Sequence, residues 1–277
     1  MQARHAETDA CYRRALTLRP DYASGHGNLL FALNYRDDLS AEAIFAEYRA
    51  WDERHARSLA QETPFEIDRT PGRRLRVGFV SPDFRQHAVA LFAEPLLAAL
   101  DRTAIELTCY AEVPVEDAAT ARFRDLADRW RATVGLSDEE LAALIRHDRI
   151  DVLVDMAGHS AGNRLLVFAR RPAPVQIAYL LGHGYTSGLS AIDAFLADDV
   201  LTPPGAEALF SEHLIRLPRL PFAYQPPAEM PDVAPLPASK SNRITFGYFG
   251  RPERLNAGVI ATWSRILQAV PGARLVL

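Results

Sequence analysis

Lysine is almost missing from this chain: of 31 basic residues among 277, Lys240 alone is lysine and the others are arginine. Any phosphate contact therefore falls to arginine, to backbone N–H groups or to that one lysine. Arginine suits the task, because its planar fork can hold a phosphate through two hydrogen bonds. A basic excess is missing too. The formal charge is -4, which argues against a general nucleic-acid binder. Cysteine is scarce, and Cys11 and Cys109 stand too far apart for a metal-ligand spacing or a disulfide framework. They are expected to be buried free thiols in a reducing compartment. No apolar run reaches the ~18 residues of a membrane span. The opening Met1-Gln2-Ala3-Arg4-His5 is polar, without the apolar stretch of a secretory signal. The expectation is a soluble cytoplasmic protein with no membrane partner.

What is present is an ordinary globular composition, 48% apolar, and a length that fits two units plus an appendage. Residues 1–60 read as helices. Tyr12, Ala15, Leu16 and Leu18 form an apolar stripe that Pro20 stops, and Ser40 is a good N-cap for a helix carrying Ala43, Ile44, Tyr48 and Trp51. Residues 61–74, with Pro64, Pro71 and Gly72, read as a linker. Residues 75–217 alternate buried-strand runs (Leu75–Val80, Ile105–Tyr110, Val152–Met156, Val175–Leu180) with helical ones (Ala90–Leu100, one capped by Ser137 with Glu140, and Leu165–Ala169). That pattern predicts an α/β lobe with a mainly parallel, Rossmann-like sheet covered on both faces. Residues 218–241 hold seven prolines between Pro218 and Pro237, which no regular element survives. Residues 242–277 then give one strand–helix–strand unit whose apolar faces would lie open, so the chain reads as a fragment, with a second lobe only begun.

The best candidate for chemistry follows the first strand: Val80-Ser81-Pro82-Asp83-Phe84-Arg85-Gln86-His87. Polar groups at the carboxyl end of a parallel strand sit where α/β folds bind ligands. A carboxylate four residues from an imidazole can raise its pKa and fix its tautomer. An N-capping Asp beside an exposed His is the alternative.

Two resemblances add to this. Tyr12-x-x-Ala15-Leu16-x-Leu18-x-Pro20 resembles the second helix of a tetratricopeptide (TPR) repeat. Such a half-repeat cannot bury its own face, so it is expected to dock on the next domain. The run Arg76-Val77-Gly78-Phe79-Val80-Ser81-x-Asp83-Phe84-x-x-His87 resembles the opening of the catalytic region of O-GlcNAc transferases and SPINDLY-type proteins. The segments Asp151–Arg164, Arg170–Gln176, Leu181-Gly182 and Thr186–Gly188 continue the likeness in the same order, and Asn28–Tyr35 matches bacterial members.

The resemblance implies a GT-B glycosyltransferase that needs no cofactor or metal. It would transfer N-acetylglucosamine, with inversion, from UDP-GlcNAc to Ser or Thr hydroxyls of a protein or peptide. His87 matches an active-site His, Asp83 the acid beside it, and His26 a His kept after the repeats; all three are expected on one cleft with Gly182. For His26 the alternative is an ordinary repeat-face histidine. Leu181 and Gly182 match a turn touching the donor sugar, and Thr186 closes that turn. His183 stands where Tyr is common. His159 either lines the cleft or bonds backbone from a loop. Arg254 occupies the position of a lysine that neutralises the leaving diphosphate, just before a helix N-terminus that itself favours phosphate.

Departures from the family pattern include Ala88-Val89 for Pro-Thr and Gly250 for Asn. They keep two rivals open: a SPINDLY-like fucosyltransferase using GDP-fucose, and a non-catalytic repeat scaffold with a degenerate transferase lobe. An isolated copy of this chain is expected to bind donor weakly.

Overall fold

The protein is described by a computed structural model over residues 5–61, 64–179, 185–227 and 229–277. Three helices come first: α1 (His5–Leu18), α2 (Ala23–Leu33) and α3 (Ala41–Trp51). Ser40 caps α3 by accepting from Ala43 N–H at 3.2 Å, and the helix runs on through two irregular turns to Leu59.

The central sheet has seven strands: β1 (Leu75–Ser81), β2 (Ile105–Ala111), β3 (Arg129–Ala132), β4 (Val152–Asp155), β5 (Val175–Ala178), β6 (Ala194–Ala197) and β7 (His213–Arg216). Their order is β3-β2-β1-β4-β5-β6-β7 and every pairing is parallel. Helices α4 (Ala90–Ala99), α5 (Ala118–Leu126), α6 (Asp138–His147) and α7 (Leu165–Ala169) make the crossovers. The expected capping box is formed: Ser137 Oγ accepts from Glu140 N–H at 3.2 Å and the Glu140 carboxylate from Ser137 N–H at 2.7 Å. Parallel strands covered on both faces must be apolar on both, and five consecutive residues of β1 are buried.

Two cores result. On one face α4 and α5 close over Phe79, Phe84, Leu97, Leu107 and Phe123. On the other, Leu29, Leu30, Leu33, Tyr48 and Trp51 of the leading helices join Leu141, Ile145, Phe168 and Leu189 in a single cluster. The helical segment is therefore docked on the lobe through a shared core. The stripe expected on α1 is only half right. Leu16 is buried, but Leu18, the last residue of the helix, is 77% exposed. The thiols also differ from expectation: Cys109 is buried on β2, whereas Cys11 is exposed on α1. The stretch before β1 is anchored, with Arg73 making a two-pronged ion pair to Asp151 at 2.6 and 2.8 Å.

Beyond β7 the proline-rich segment lies against the lobe. Gln225 N–H bonds Leu91 O at 3.2 Å and Phe92 meets Phe222 and Tyr224. Then come α8 (Pro237–Ser241), β8 (Thr245–Gly247), α9 (Ala257–Ala269) and β9 (Arg274–Val276), with β8 and β9 paired in parallel.

Candidate functional site

Strand order reverses between β1 and β4, and in open α/β sheets ligands bind outside the carboxyl ends of the strands at such a point. The turn after β1 carries Asp83 and His87. It is tightened at once by Ser81 Oγ, which accepts from Asp83 N–H at 3.0 Å. Asp83 is buried, and burial pushes its carboxyl above the usual range while His87 and Arg85 pull it back. The His87 Nδ1 atom lies 3.4 Å from Asp83 Oδ1, with the side chain 36% exposed.

The same Nδ1 atom is 3.3 Å from Val89 N–H, which can donate to it. The ring thus has two partners for one atom. With Nδ1 deprotonated it accepts from Val89 and carries its proton on Nε2. With Nδ1 protonated it faces the Asp83 carboxylate and leaves the Nε2 lone pair open. A histidine that can present either a proton or a lone pair from Nε2 is equipped for acid–base work. His87 stands on a cleft of about 620 Å³, whose walls include Gln86, Ala90, Glu94, Arg122 and Gln225.

The end of β4 is built differently. Asp155 is fully buried and accepts from Ala157 N–H at 3.1 Å and Gly158 N–H at 2.9 Å. Burial, with the charge of Glu212 adding to it, pushes its carboxyl up to about 6. The tight turn it holds delivers His159 into the interior. There Nε2–H donates to Ser187 O at 2.7 Å, and the ring stands edge-on to Trp51 and Tyr48. His159 is therefore the backbone-bonding residue of the two readings, seated between helical segment and lobe.

Thr186 is corrected as a substrate contact. Its side chain is fully buried; its hydroxyl donates to Glu212 Oε2 at 2.5 Å and accepts from Gly188 N–H at 3.0 Å and Ser211 N–H at 3.3 Å, so nothing is left for a substrate. Leu181, Gly182 and His183 lie outside the described residues.

His26 sits on α2, buried, with Nδ1 3.0 Å from His55 Nε2, one ring donating to the other. Burial, then the charges of His55, Arg54 and Arg13, lower its pKa to about 4, so it is neutral at physiological pH. It lines a concavity of about 440 Å³ with Arg13, Glu47 and Arg54. The linings of this concavity and of the His87 cleft have no residue in common. Arg254 is exposed in the turn Pro252–Arg254, and the α9 N-terminus behind it is capped by Asn256 Oδ1, which accepts from Val259 N–H at 2.9 Å. No side-chain partner holds Arg254 among the described residues. The same residues contain no cluster of three or more His, Cys, Asp or Glu fit for a metal ion, and no helix long and apolar enough to cross a membrane.

Three polar residues escaped the sequence reading. His55 follows Trp51 by one helical turn, a spacing that could have flagged it. Asp117 opens an Asp-x-x-Thr capping box with Thr120, a signal that was legible. Glu212 carries no local signal, since its partners Thr186 and Ser187 lie some 25 residues earlier.

An all-parallel doubly wound lobe, with its polar turn at the β1/β4 reversal and a further β-α-β unit after a proline-rich crossing, fits the GT-B glycosyltransferase class. Residues 54–225 match Glycosyl transferase family 41, and the chain belongs to that family. It is 35% identical over 266 residues to a tomato (Solanum lycopersicum) protein named probable UDP-N-acetylglucosamine–peptide N-acetylglucosaminyltransferase SPINDLY, covering 95% of this chain and 28% of the relative. Its likeness to the Caenorhabditis elegans UDP-N-acetylglucosamine–peptide N-acetylglucosaminyltransferase is 30% over 219 residues, covering 76% of this chain and 18% of that one. A solved O-GlcNAc transferase from Thermobaculum terrenum, a K341M mutant, superposes with TM-score 0.92 at 40% identity, over 99% of this chain and 52% of that one. The chain thus spans about half or less of the relatives it matches.

Proposed function

We propose that this chain forms the first catalytic lobe and part of the nucleotide-binding lobe of a protein O-GlcNAc transferase. In that reaction a Ser or Thr hydroxyl of a protein attacks the anomeric carbon of UDP-GlcNAc. The new C–O bond forms as the bond to the β-phosphate oxygen breaks, the configuration inverts, the hydroxyl proton passes to a base, and UDP leaves without help from a metal. The observation that carries this reading is the Asp83–His87 pair at the strand-order reversal of a family 41 lobe, with His87 on a cleft. His87 is assigned to the reactants through Nε2, and Asp83 to holding the ring. His26, neutral and paired with His55, is assigned to the substrate side of the helical segment, and Arg254 to the diphosphate, which its planar guanidinium fork can hold through two hydrogen bonds. Leu181, Gly182 and His183 are assigned to the donor by family position. Residues 1–60, 61–74, 75–217, 218–241 and 242–277 are read as helical segment, linker, first lobe, crossing and the opening of the nucleotide-binding lobe. The cytoplasm is the assigned compartment.

The test is calorimetry of UDP and of GDP against the chain and its His87→Ala and Arg254→Ala forms. Weak UDP binding that still exceeds GDP binding, and that falls about tenfold further in either variant, is expected. Preference for GDP would move the assignment to a fucosyl donor. Nucleotide binding indifferent to both substitutions would remove these residues from the site.

A further inference from the structure

The turn that bears His87 is held by a residue outside it. Asp117 precedes α5 and divides its carboxylate between two tasks. Oδ1 caps the helix, accepting from Ala119 N–H at 2.8 Å and Thr120 N–H at 2.9 Å. Oδ2 accepts from Gln86 N–H at 2.7 Å, across 31 residues of sequence. Thr120 Oγ1 accepts from Asp117 N–H at 3.1 Å and completes the capping box, so the carboxylate is itself fixed. Gln86 and His87 of the turn, and Ala118 and Ala119 of α5, line the same cleft. We propose that Asp117 is the positioning residue of the candidate site: one carboxylate locks the turn after β1 to the N-terminus of α5 and thereby sets where the His87 imidazole faces. The inference rests on the assignment of His87 to that site.

Helix capping alone does not call for this arrangement. Ser, Asn and Asp cap helices about equally well, but serine has one oxygen on a short stem and cannot serve Ala119, Thr120 and Gln86 together. Aspartate is required only if the bond to Gln86 counts. The charged groups around it are Arg122 on α5, engaged by Glu94 of α4 at 2.7 and 3.0 Å, Glu116 beside it, paired with Arg124, and Arg85, His87 and Asp83 of the turn. The bonds from Gln86, Thr120 and Ala119 hold the Asp117 carboxyl below the usual carboxylate range. The tether is therefore present above the ordinary carboxylate pKa and released as pH falls through that lowered value.

The test uses the isotope-labelled 277-residue chain with UDP as probe. In the unsubstituted protein, the Gln86 amide and the His87 ring signals should shift together as Asp117 titrates. In Asp117→Ser, α5 stays capped and the thermal midpoint changes little. The Gln86 amide should lose that titration, the His87 ring signals should move, and UDP affinity should fall about tenfold. A Gln86 amide that titrates while the His87 ring stays still would overturn the proposal, and that reading needs no variant to fold. So would unchanged His87 signals in Asp117→Ser. His87→Ala separates the two layers. If it leaves UDP affinity intact, the site assignment has failed, whatever the ring signals say about Asp117.

Discussion

The indole of Trp51 stands edge-on to the imidazole of His159, ring centroids 4.9 Å apart. Trp51 belongs to the third helix and His159 to the turn after β4, so this contact is one of the rivets between helical segment and lobe. Both groups have polar atoms to satisfy. Trp51 Nε1–H donates to Ala23 O at 3.0 Å and His159 Nε2–H to Ser187 O at 2.7 Å. Tyr48 completes the nest, and Gly188, in the left-handed region at φ 76, lies so close to Tyr48 that a Cβ there would come within 2.8 Å of its carbonyl oxygen.

Replacing His159 should thus loosen the docked helices. His159→Phe keeps the ring but strands the Ser187 carbonyl, at a cost of ~1–3 kcal/mol. His159→Ala also empties the space between Tyr48 and Trp51 and should cost more, ~3–4 kcal/mol. Urea unfolding followed by tryptophan fluorescence measures both. Equal stability of the three proteins would contradict this account.

The two leucines at the end of α1 make a sharper comparison. Leu16 is 8% exposed and belongs to the shared core; Leu18 is 77% exposed. Leu16→Ala should destabilise by ~2–4 kcal/mol, whereas Leu18→Ala should stay within ~0.5 kcal/mol. Limited proteolysis offers a second readout: the Leu16→Ala chain should lose its leading helices first. Matched effects of the two substitutions would mean that the stripe, not its buried member, is what docks.

What the sequence made legible was local. The Ser137–Glu140 box, the Ser40 cap, the β1 run and the Asp83–His87 spacing each complete themselves within one turn or strand, so composition and period suffice. β3 escapes a sequence reading because its alternation, Arg129-Trp130-Arg131-Ala132, is only four residues long and sets charged arginines on one face. Its arginines are drawn in by Asp148, whose carboxylate takes Arg131 at 2.6 Å, Arg129 at 3.2 Å and the Tyr110 hydroxyl at 2.9 Å. The same holds at the site. His26 meets His55 across 29 residues and Gln86 meets Asp117 across 31. Thr186 was misread because nothing near it announces that Glu212 will consume its hydroxyl.

His26 should make the fold acid-sensitive. Its pKa falls from 6.5 to about 4 in the folded chain, so the unfolded chain binds the proton first. This contribution to stability is complete above about 6.5 and drains away as pH falls toward 4. His55, lowered by burial and by Arg54, acts in the same sense. Urea midpoints should therefore drop between pH 7 and pH 4.5, and His26→Gln should flatten that part of the profile. An unchanged slope in the variant would assign the acid sensitivity elsewhere.

Asp155 works in the opposite direction over nearly the same range, and Glu212 is the means of separating the two. The Asp155 carboxyl is raised from 3.8 to about 6, first by burial and then by the Glu212 charge, against the opposing N–H bonds of Ala157, Gly158 and Met156. A folded state that holds a carboxyl proton more tightly than the unfolded one gains from it below about 3.8 and loses that gain as pH rises through about 6. Between pH 4 and 6 the histidine and carboxylate contributions therefore oppose each other, and the measured profile is their difference. Glu212→Gln removes the neighbouring charge, so the Asp155 titration should fall toward its ordinary value. The variant should also lose stability at pH 7. A carboxamide presents one acceptor oxygen to Thr186 Oγ1–H and Ser187 N–H, where the carboxylate presents two. Leaving one of these buried donors unmatched costs ~1–3 kcal/mol. The two effects have separate readouts, carboxyl carbon shifts for Asp155 and urea midpoints for the fold. With the Asp155 contribution reduced, the histidine-driven loss below pH 6.5 should stand out more steeply in Glu212→Gln than in the native chain. An Asp155 titration unmoved by the substitution would show that burial alone sets it and that the two carboxylates do not feel each other.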